Sequence, residues 1–396
     1  MLFRSGIYSL SEGYLSNNDG GTLNGQNSLG GRLSLRCFPY PDARIDLMLV
    51  YLENRDPGTA YINSQISHTG KAPDLFSSNV SLNAGEMLGS NRKMRGASLD
   101  FRHYKNENNY FSLIATFLNG NSDQYEDADG TSLPVTSLNE RFGSRIISFE
   151  GRIDFSRNSR INGAAGLNYK WEKSELSRLW EVNEQYLVHL ILGLPENLFT
   201  TGGIPNPLSV YPAGSLAGMP LSGNHREMNL NNSDFHTAGI YTDFTWNLSP
   251  RVGLTGGIRL ALENMSERGE SLLVGKDSSL LGILTGYHPN IFSIPAGTRE
   301  VKTRHLSSVY RTRLSYTLTR KTTLFAGYSK GRRPPVINFT PGGTAGILQE
   351  EVLYNFEGGM KLVAANRLWV DLTGFYQLFR NFDNTEIGRA SCRERV

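Results

Sequence analysis

Hydrophobic and polar residues alternate along much of this chain, and the alternating stretches come in matched pairs. The clearest block runs from Val301 to Phe379. Arg304 to Leu318 alternates, Thr319-Arg320-Lys321 breaks the pattern, and Thr322 to Tyr328 resumes it. After Gly331-Arg332-Arg333-Pro334-Pro335 a second pair follows: Glu351 to Leu362, a break at Ala364-Ala365-Asn366, then Leu368 to Leu378. A period of two sends successive side chains to opposite faces of a sheet. One face collects Tyr354, Phe356, Met360, Leu362, Leu368, Val370, Leu372, Tyr376 and Leu378. The other carries Asn355, Glu357, Lys361, Asp371, Thr373 and Gln377.

The same pattern recurs upstream. Ile147, Phe149, Gly151, Ile153 and Phe155 alternate with Ser148, Glu150, Arg152 and Asp154. The turn Ser156-Arg157-Asn158-Ser159 then leads to Ile161, Gly163, Ala165, Leu167, Tyr169 and Trp171. Tight turns alternate with long polar connections at Leu15–Asn27, Asn54–Lys93, Asn119–Phe142, Glu172–Asp234, Ser266–Glu300 and Gly331–Glu350. By parity all six connections emerge at one end of the sheet. About 13 strands result, most of roughly 9–15 residues, long enough to cross a bilayer at the tilt of a barrel. The pattern therefore predicts an all-β fold, an antiparallel transmembrane β-barrel with long extracellular loops and short periplasmic turns. Intact bacterial barrels have even strand numbers, so an odd count reads as an incomplete barrel. Tyr169, Trp171, Phe244, Trp246, Tyr310, Tyr316 and Tyr376 lie on apolar faces, several near strand ends, where aromatic girdles meet lipid headgroups.

Composition agrees with this reading. Hydrophobic residues make up 39% of 396, charged residues 19%, and there are 42 Gly, 18 Tyr and 19 Phe. No apolar run approaches the roughly 20 residues of a spanning helix, whereas a barrel needs apolar groups only at every second position. A net charge of +3 gives no reason to expect nucleic acid as a partner. Two cysteines, Cys37 and Cys392, make no disulfide framework.

Two stretches resemble the TonB-dependent outer-membrane receptors. The first is Asp19-Gly20, Leu23-Asn24 and Ser28-Leu29-Gly30-Gly31-Arg32. The second is Gly327-Tyr328-Ser329-Lys330-Gly331-Arg332-Arg333-Pro334-Pro335, followed by Leu348, Glu351, Tyr354-Asn355-Phe356-Glu357, Gly359 and Lys361. Glu350 stands where that family has Pro. The resemblance spans roughly residues 13 to 384 and implies active uptake of a scarce nutrient, such as an iron–siderophore, across the outer membrane of a Gram-negative bacterium. Outer-membrane lipid, a small-molecule ligand and the TonB system, reached through a plug domain, are the partners it implies; no cofactor is expected. The sequence carries no plug domain, energy-coupling box, aromatic terminal strand or signal peptide. Residues 6–386 are thus expected to form part of a barrel, with 1–5 a non-native leader and 387–396 a non-native tail similar to a translated adapter scar. Two alternatives stay open: a passive porin or assembly barrel, and a secreted all-β carbohydrate-active enzyme.

Candidate chemistry is sparse. The seven histidines lack i,i+4 ligand spacing, and no paired carboxylates stand out, so no catalytic or metal site is expected. The acidic run Asp123–Gly130 offers carboxylates for Ca²⁺ but not the full EF-hand loop pattern. In the terms of the resemblance, His225 and His288 are the histidines a haem ligand would use. Charged residues expected on the inner wall, where a plug would sit, include Arg95, Asp100, Arg102, Glu150, Arg152, Asp154, Arg311, Arg313, Glu357 and Lys361. Ligand pockets are mostly apolar with a few polar anchors. That places ligand contact on the long loops, at Phe199, Tyr211, Tyr287 and Phe292, with Arg332 and Arg333 as anion anchors. Glu175–Leu194 reads equally as a short amphipathic helix or as a strand extension.

Overall fold

A computed structural model describes residues 2–61, 77–157, 160–191, 200–201, 204–205, 214–364 and 367–382. Thirteen strands form one antiparallel meander in chain order. They are β1 (Leu2–Ser11), β2 (Gln26–Tyr40), β3 (Ala43–Pro57), β4 (Gly89–Asn106), β5 (Asn109–Asp127), β6 (Thr136–Arg157), β7 (Ile161–Val182), β8 (His225–Asn247), β9 (Val252–Leu273), β10 (Ala296–Thr319), β11 (Thr322–Arg333), β12 (Glu351–Ala364) and β13 (Leu368–Arg380). β1 and β13 are the sheet's edges. β1 pairs with β2 from Leu2 onward, so Leu2–Ser5 lie within the sheet.

Register gives each face its character. Phe149 pairs with Ala115 on one side and Tyr169 on the other, and the row continues through Ala238, Leu262 and Leu306. Carried on through β11, the same face holds Phe356 and Leu372. Phe149, Ile153, Phe356 and Leu372 are 54%, 56%, 47% and 66% exposed. A soluble sheet would bury such residues; here they form a continuous apolar surface of the kind that faces lipid. Concavities on this face, such as one of about 680 Å³ among Phe111, Leu113, Ile153, Leu167, Ile240 and Leu260, are gaps between lipid-facing side chains.

The strands outrun the alternation. β4 to β10 have 18 to 24 residues each, against the 9–11 or so that cross an apolar layer. Segments expected within the loops continue the ladder: β3 runs to Pro57, β5 to Asp127, β7 to Val182 and β9 to Leu273. Beyond the apolar band both faces meet water, so side-chain alternation disappears while backbone pairing continues. The pairing of β6 with β7 is unbroken from Arg157–Ile161 to Thr136–Val182. Glu175–Leu194 resolves into both readings in turn, strand to Val182 and then helix α1 (Glu184–Ile191). Arg95 requires a correction. It lies three and seven residues from Ser98 and Arg102 and so falls on the Leu99 face, not on the polar wall.

At the long-loop end, buried carboxylates tie the connections together. Glu184 is fully buried and accepts hydrogen bonds from the Ser222, Leu280 and Leu281 amides at 2.8, 3.2 and 3.0 Å and from the Ser279 hydroxyl. Glu227, equally buried, accepts from the Ile291 and Phe292 amides at 2.7 and 3.1 Å. It also accepts from His225 Nε2 at 3.1 Å, while His225 Nδ1 donates to the Asp277 carbonyl at 3.0 Å. Burial pulls the His225 pKa down, but Glu227, the Asp277 carbonyl and Glu184 together raise it above its ordinary value. Val182, Val188, Leu221, Leu280, Leu281 and Ile291 pack around these groups, with helix α2 (Gly282–Thr285) alongside. His225 is thereby committed to the loop scaffold.

A second such knot closes the β5–β6 connection. Asp127 accepts from the Asn83, Gly130 and Asp129 amides at 2.8, 2.9 and 3.1 Å, and Asp129 from the Thr136 amide at 2.8 Å. Within the acidic run, Asp127 and Asp129 thus accept from backbone donors, while Asp123 pairs with Arg141 and Glu126 accepts from the Gln124 side chain. Among the described residues no group of three His, Cys, Asp or Glu side chains could hold a metal ion.

Two outcomes follow from this architecture. Phe149→Arg, on the lipid face, should lower the stability of the membrane-inserted protein by about 2–4 kcal/mol. Ser148→Arg, on the polar face, should cost much less; equal losses in urea titrations of vesicle-inserted protein would contradict the assigned facing. The second outcome concerns pH. Burial, then repulsion from Asp127, pushes Asp129 up to about 7. An acid whose native pKa is raised holds its proton in the folded loop after the opened loop has released it. Loop stability should therefore fall as pH rises from about 4 to about 7 and level off above, with a slope approaching ~10-fold per pH unit. Hydrogen exchange at the Thr136 amide, corrected for intrinsic rate, should show this trend and lose it in Asp129→Asn.

Candidate functional site

The polar face is a wall of paired charges. Neighbours two apart on a strand share a face, so Arg102 meets Asp100 at 2.7 Å and Arg152 meets Asp154 at 2.7 Å. Across strands, Arg311 grips Asp243 through two bonds of 2.8 and 2.9 Å, and Tyr241 donates to Glu150 at 2.5 Å. Lys361 pairs with Asp371 at 3.0 Å, and the Arg313 guanidinium sits 4.1 Å from the Phe325 ring centre. Glu357 lies opposite Gly327, where an added Cβ would come within 3.0 Å of its carboxylate. Of the ten expected wall residues, all but Arg95 thus lie on this face, eight of them with a charged, hydroxyl or ring partner, which is a surface built to be wet.

Above the wall, at the long-loop end, lies a cavity of about 410 Å³. Strand parity supplies its floor: Leu138 and Glu140 from β6, Arg178 and Trp180 from β7, Asn229 and Asn231 from β8, and Gly269 and Ser271 from β9. Phe292, Ser293 and Arg299 close one side. The backbone of Phe292 is held by Glu227, and its ring packs on Trp180 at 4.8 Å between centroids. The other side is a hairpin in which Val336–Phe339 pairs with Ala345–Leu348, tethered where the Ile294 amide donates to the Pro341 carbonyl at 2.9 Å. Phe339 lies so close over Gly269 that an added Cβ would come within 2.9 Å of its ring, so only glycine admits this contact.

The cavity is aromatic, and its lining carries two guanidinium groups, Arg178 and Arg299, and two carboxylates, Glu140 and Glu270. Arg178 pairs with Glu140 at 2.6 Å and remains 46% exposed. Arg299 makes no ion pair with a carboxylate among the described residues. Asn229 Oδ1 accepts from Ser271 and Ser293 at 2.8 and 3.1 Å. Such a set offers guanidinium groups and flat ring surfaces to a ligand, inside the size range of small-molecule pockets.

The loop candidates are distributed unevenly. Phe292 lines the cavity. Tyr287 sits in the turn after α2, its amide bonded to the Gly282 carbonyl at 2.9 Å, and is not among the lining residues. Phe199 and Tyr211 lie outside the described residues. Arg332 is buried against Glu263, with Glu350 3.7 Å away, and Arg333 pairs with Glu351 at 3.4 Å. Pairing of β10 with β11 stops at Tyr310–Lys330, and Arg332 bridges the gap above it. Sequence reading did not single out Arg178, Trp180, Arg299 or Phe339. Arg178 and Trp180 alternate with Leu179, a signal that emerges only once β7 is known to continue to Val182.

A family model described as TonB dependent receptor-like, beta-barrel, matches residues 9–388. Among solved structures, the chain is similar to the ferric yersiniabactin uptake receptor FyuA from Yersinia pestis (TM-score 0.68, 15% identity, covering 96% of this chain and 50% of that one). It is similar also to the ferric-catecholate import receptor Fiu from E. coli K12 in its closed form (TM-score 0.59, 14% identity, 95% and 54%). The siderophore receptor PiuA from Acinetobacter baumannii gives a TM-score of 0.59 at 12% identity, with 94% and 52% covered. The chain thus spans about half the length of these receptors. No curated protein matches it. With a family match over nearly its whole length and a meander of long antiparallel strands, apolar on one face and charged on the other, the chain belongs to the TonB-dependent receptor-like β-barrel family.

Proposed function

We propose that this chain is the ligand-collecting wall and mouth of an outer-membrane receptor that takes up a scarce nutrient by TonB-dependent transport. Its ligand on this reading is an anionic chelate of the ferric-siderophore kind. The cavity at the mouth carries the proposal: Trp180 and Phe292 offer ring surfaces, Arg178 and Arg299 offer guanidinium groups, and all four are fixed by strands or by the Glu227 scaffold. The names of the similar structures, which include a ferric yersiniabactin receptor and a ferric-catecholate receptor, point to the same ligand class. The charged wall beneath supplies a polar passage for a plug domain to fill, and the family's home in the Gram-negative outer membrane fits the lipid-facing surface.

The test is uptake of radio-iron by iron-starved cells offered a panel of ferric siderophores, with and without the intact gene. Loss of uptake of one chelate on deletion, and its dependence on the proton-motive force, would support the reading; unchanged uptake of every chelate would defeat it. Trp180→Ala should weaken binding of the responsive chelate by roughly 10-fold or more, the usual cost of removing a central aromatic anchor. Arg299→Gln should weaken it in a salt-sensitive way, and Lys321→Gln, at a periplasmic turn, should leave it unchanged.

A further inference from the structure

His225 is fully buried, and both of its ring nitrogens face groups that only accept. Nδ1 lies 3.0 Å from the Asp277 carbonyl and Nε2 3.1 Å from the Glu227 carboxylate. A neutral imidazole has one N–H and one lone pair, so it satisfies one of these acceptors and repels the other. Moving the proton to Glu227 would put it on an oxygen that already accepts the Ile291 amide at 2.7 Å. The arrangement therefore requires an imidazolium. Burial opposes that charge, but Glu227 on the same strand, the Asp277 carbonyl and Glu184 on α1 outweigh it and hold the pKa above its ordinary value. Other ionisable groups nearby are turned elsewhere. His288 Nδ1 donates to the Ser279 carbonyl at 2.7 Å, Arg226 pairs with Glu181 at 2.8 Å, and Lys276 and Asp277 are exposed.

This charge bears on the mouth because Glu227 and Trp180 are direct cross-strand partners. The same carboxylate accepts the Phe292 amide at 3.1 Å, and the Phe292 ring packs on Trp180 at 4.8 Å. His225 also holds Asp277, which lies in the β9–β10 connection that carries Phe292. One imidazolium thus ties β8 to two points of that connection, directly at Asp277 and through Glu227 at Phe292. Among the described residues it is the one cation that ion-pairs with Glu227. Loss of its proton would leave a buried carboxylate without a counter-charge and a ring lone pair facing an acceptor, both costly away from water. The connection relieves that cost by drawing away, and Phe292 goes with it.

We propose that His225 is a positioning residue for the mouth cavity, operated by its proton: charged, it seats Phe292 against Trp180, and neutral, it releases the pair. Its consequence for ligand capture rests on the proposed reading of the mouth as a chelate site; its effect on the two rings does not. A histidine whose native pKa is raised contributes stability that is complete below its unfolded pKa, about 6.5, and is lost as pH rises through the native value. The cavity is therefore ordered in mild acid and loosens in mild alkali.

The experiment follows full-length receptor in nanodiscs from about pH 5.5 to about 9, a range that brackets ordinary histidine titration. It reads hydrogen exchange at the Ile291 and Phe292 amides, corrected for intrinsic rate, and the fluorine resonance of fluorotryptophan at position 180. In the wild type, protection of both amides should be level below about pH 6.5 and then fall by up to ~10-fold per pH unit. The Trp180 resonance should shift over the same range. His225→Gln donates to one acceptor and has no proton to lose, so its protection should be lower in acid and independent of pH. A level profile in the wild type, or the wild-type slope in His225→Gln, would overturn the proposal. So would amides that open while the Trp180 resonance stays fixed. If His225→Gln fails to insert, the wild-type profile decides alone. A receptor that shows this titration yet takes up no ferric chelate would defeat the proposed ligand and leave the role of His225 standing.

Discussion

Every backbone amide and carbonyl that enters lipid must find a partner in the protein, because hydrocarbon offers none. In this chain the obligation is met strand to strand, and the rest of the structure depends on it. A hydrogen-bonded meander has a fixed register. Fixed register in turn places Phe149, Leu262, Leu306 and Phe356 on one face and Glu150, Asp243 and Arg311 on the other. Facing is thus a consequence of backbone satisfaction, and side-chain chemistry was selected to fit it.

The same demand acts above the membrane, where it is met differently. Long connections that fold over one another bury amides that no ladder reaches. Glu184, Glu227, Asp127 and Asp129 accept from them, each carboxylate serving at least two donors. Charge-assisted bonds of this kind contribute more than neutral ones, and removing the acceptor leaves several buried donors unpaired. The mouth cavity inherits its rigidity from this scaffold. Phe292 is placed by Glu227 through its own amide, and Trp180 by the continuation of β7. A ligand meeting these rings finds them already ordered, which lowers the entropic cost of binding.

Charge is sorted by height and by face. On the polar wall, opposite charges sit two residues apart or directly across strands and neutralise one another. On the outer face, cations gather at the upper edge of the apolar band, where Arg145 faces Lys173. In the mouth, Arg299 has no carboxylate partner among the described residues.

The sequence by itself determined the all-β class, the position of the short turns and the facing within the apolar band. Period-two alternation is a direct record of lipid on one side and water on the other. It could not determine where the strands end, because the record stops where both sides are wet; β7 continues for eleven residues past Trp171 with no alternation to announce it. Nor could it bring Trp180 to Phe292 or Phe339 to Gly269. Those contacts join positions about 70 to 112 residues apart and depend on where distant loops fold back. Arg332 shows the limit most plainly. In the sequence it is an arginine in a polar loop, available to an anion; in three dimensions β10 and β11 part above Tyr310, and its side chain reaches past β10 to be buried against Glu263 on β9.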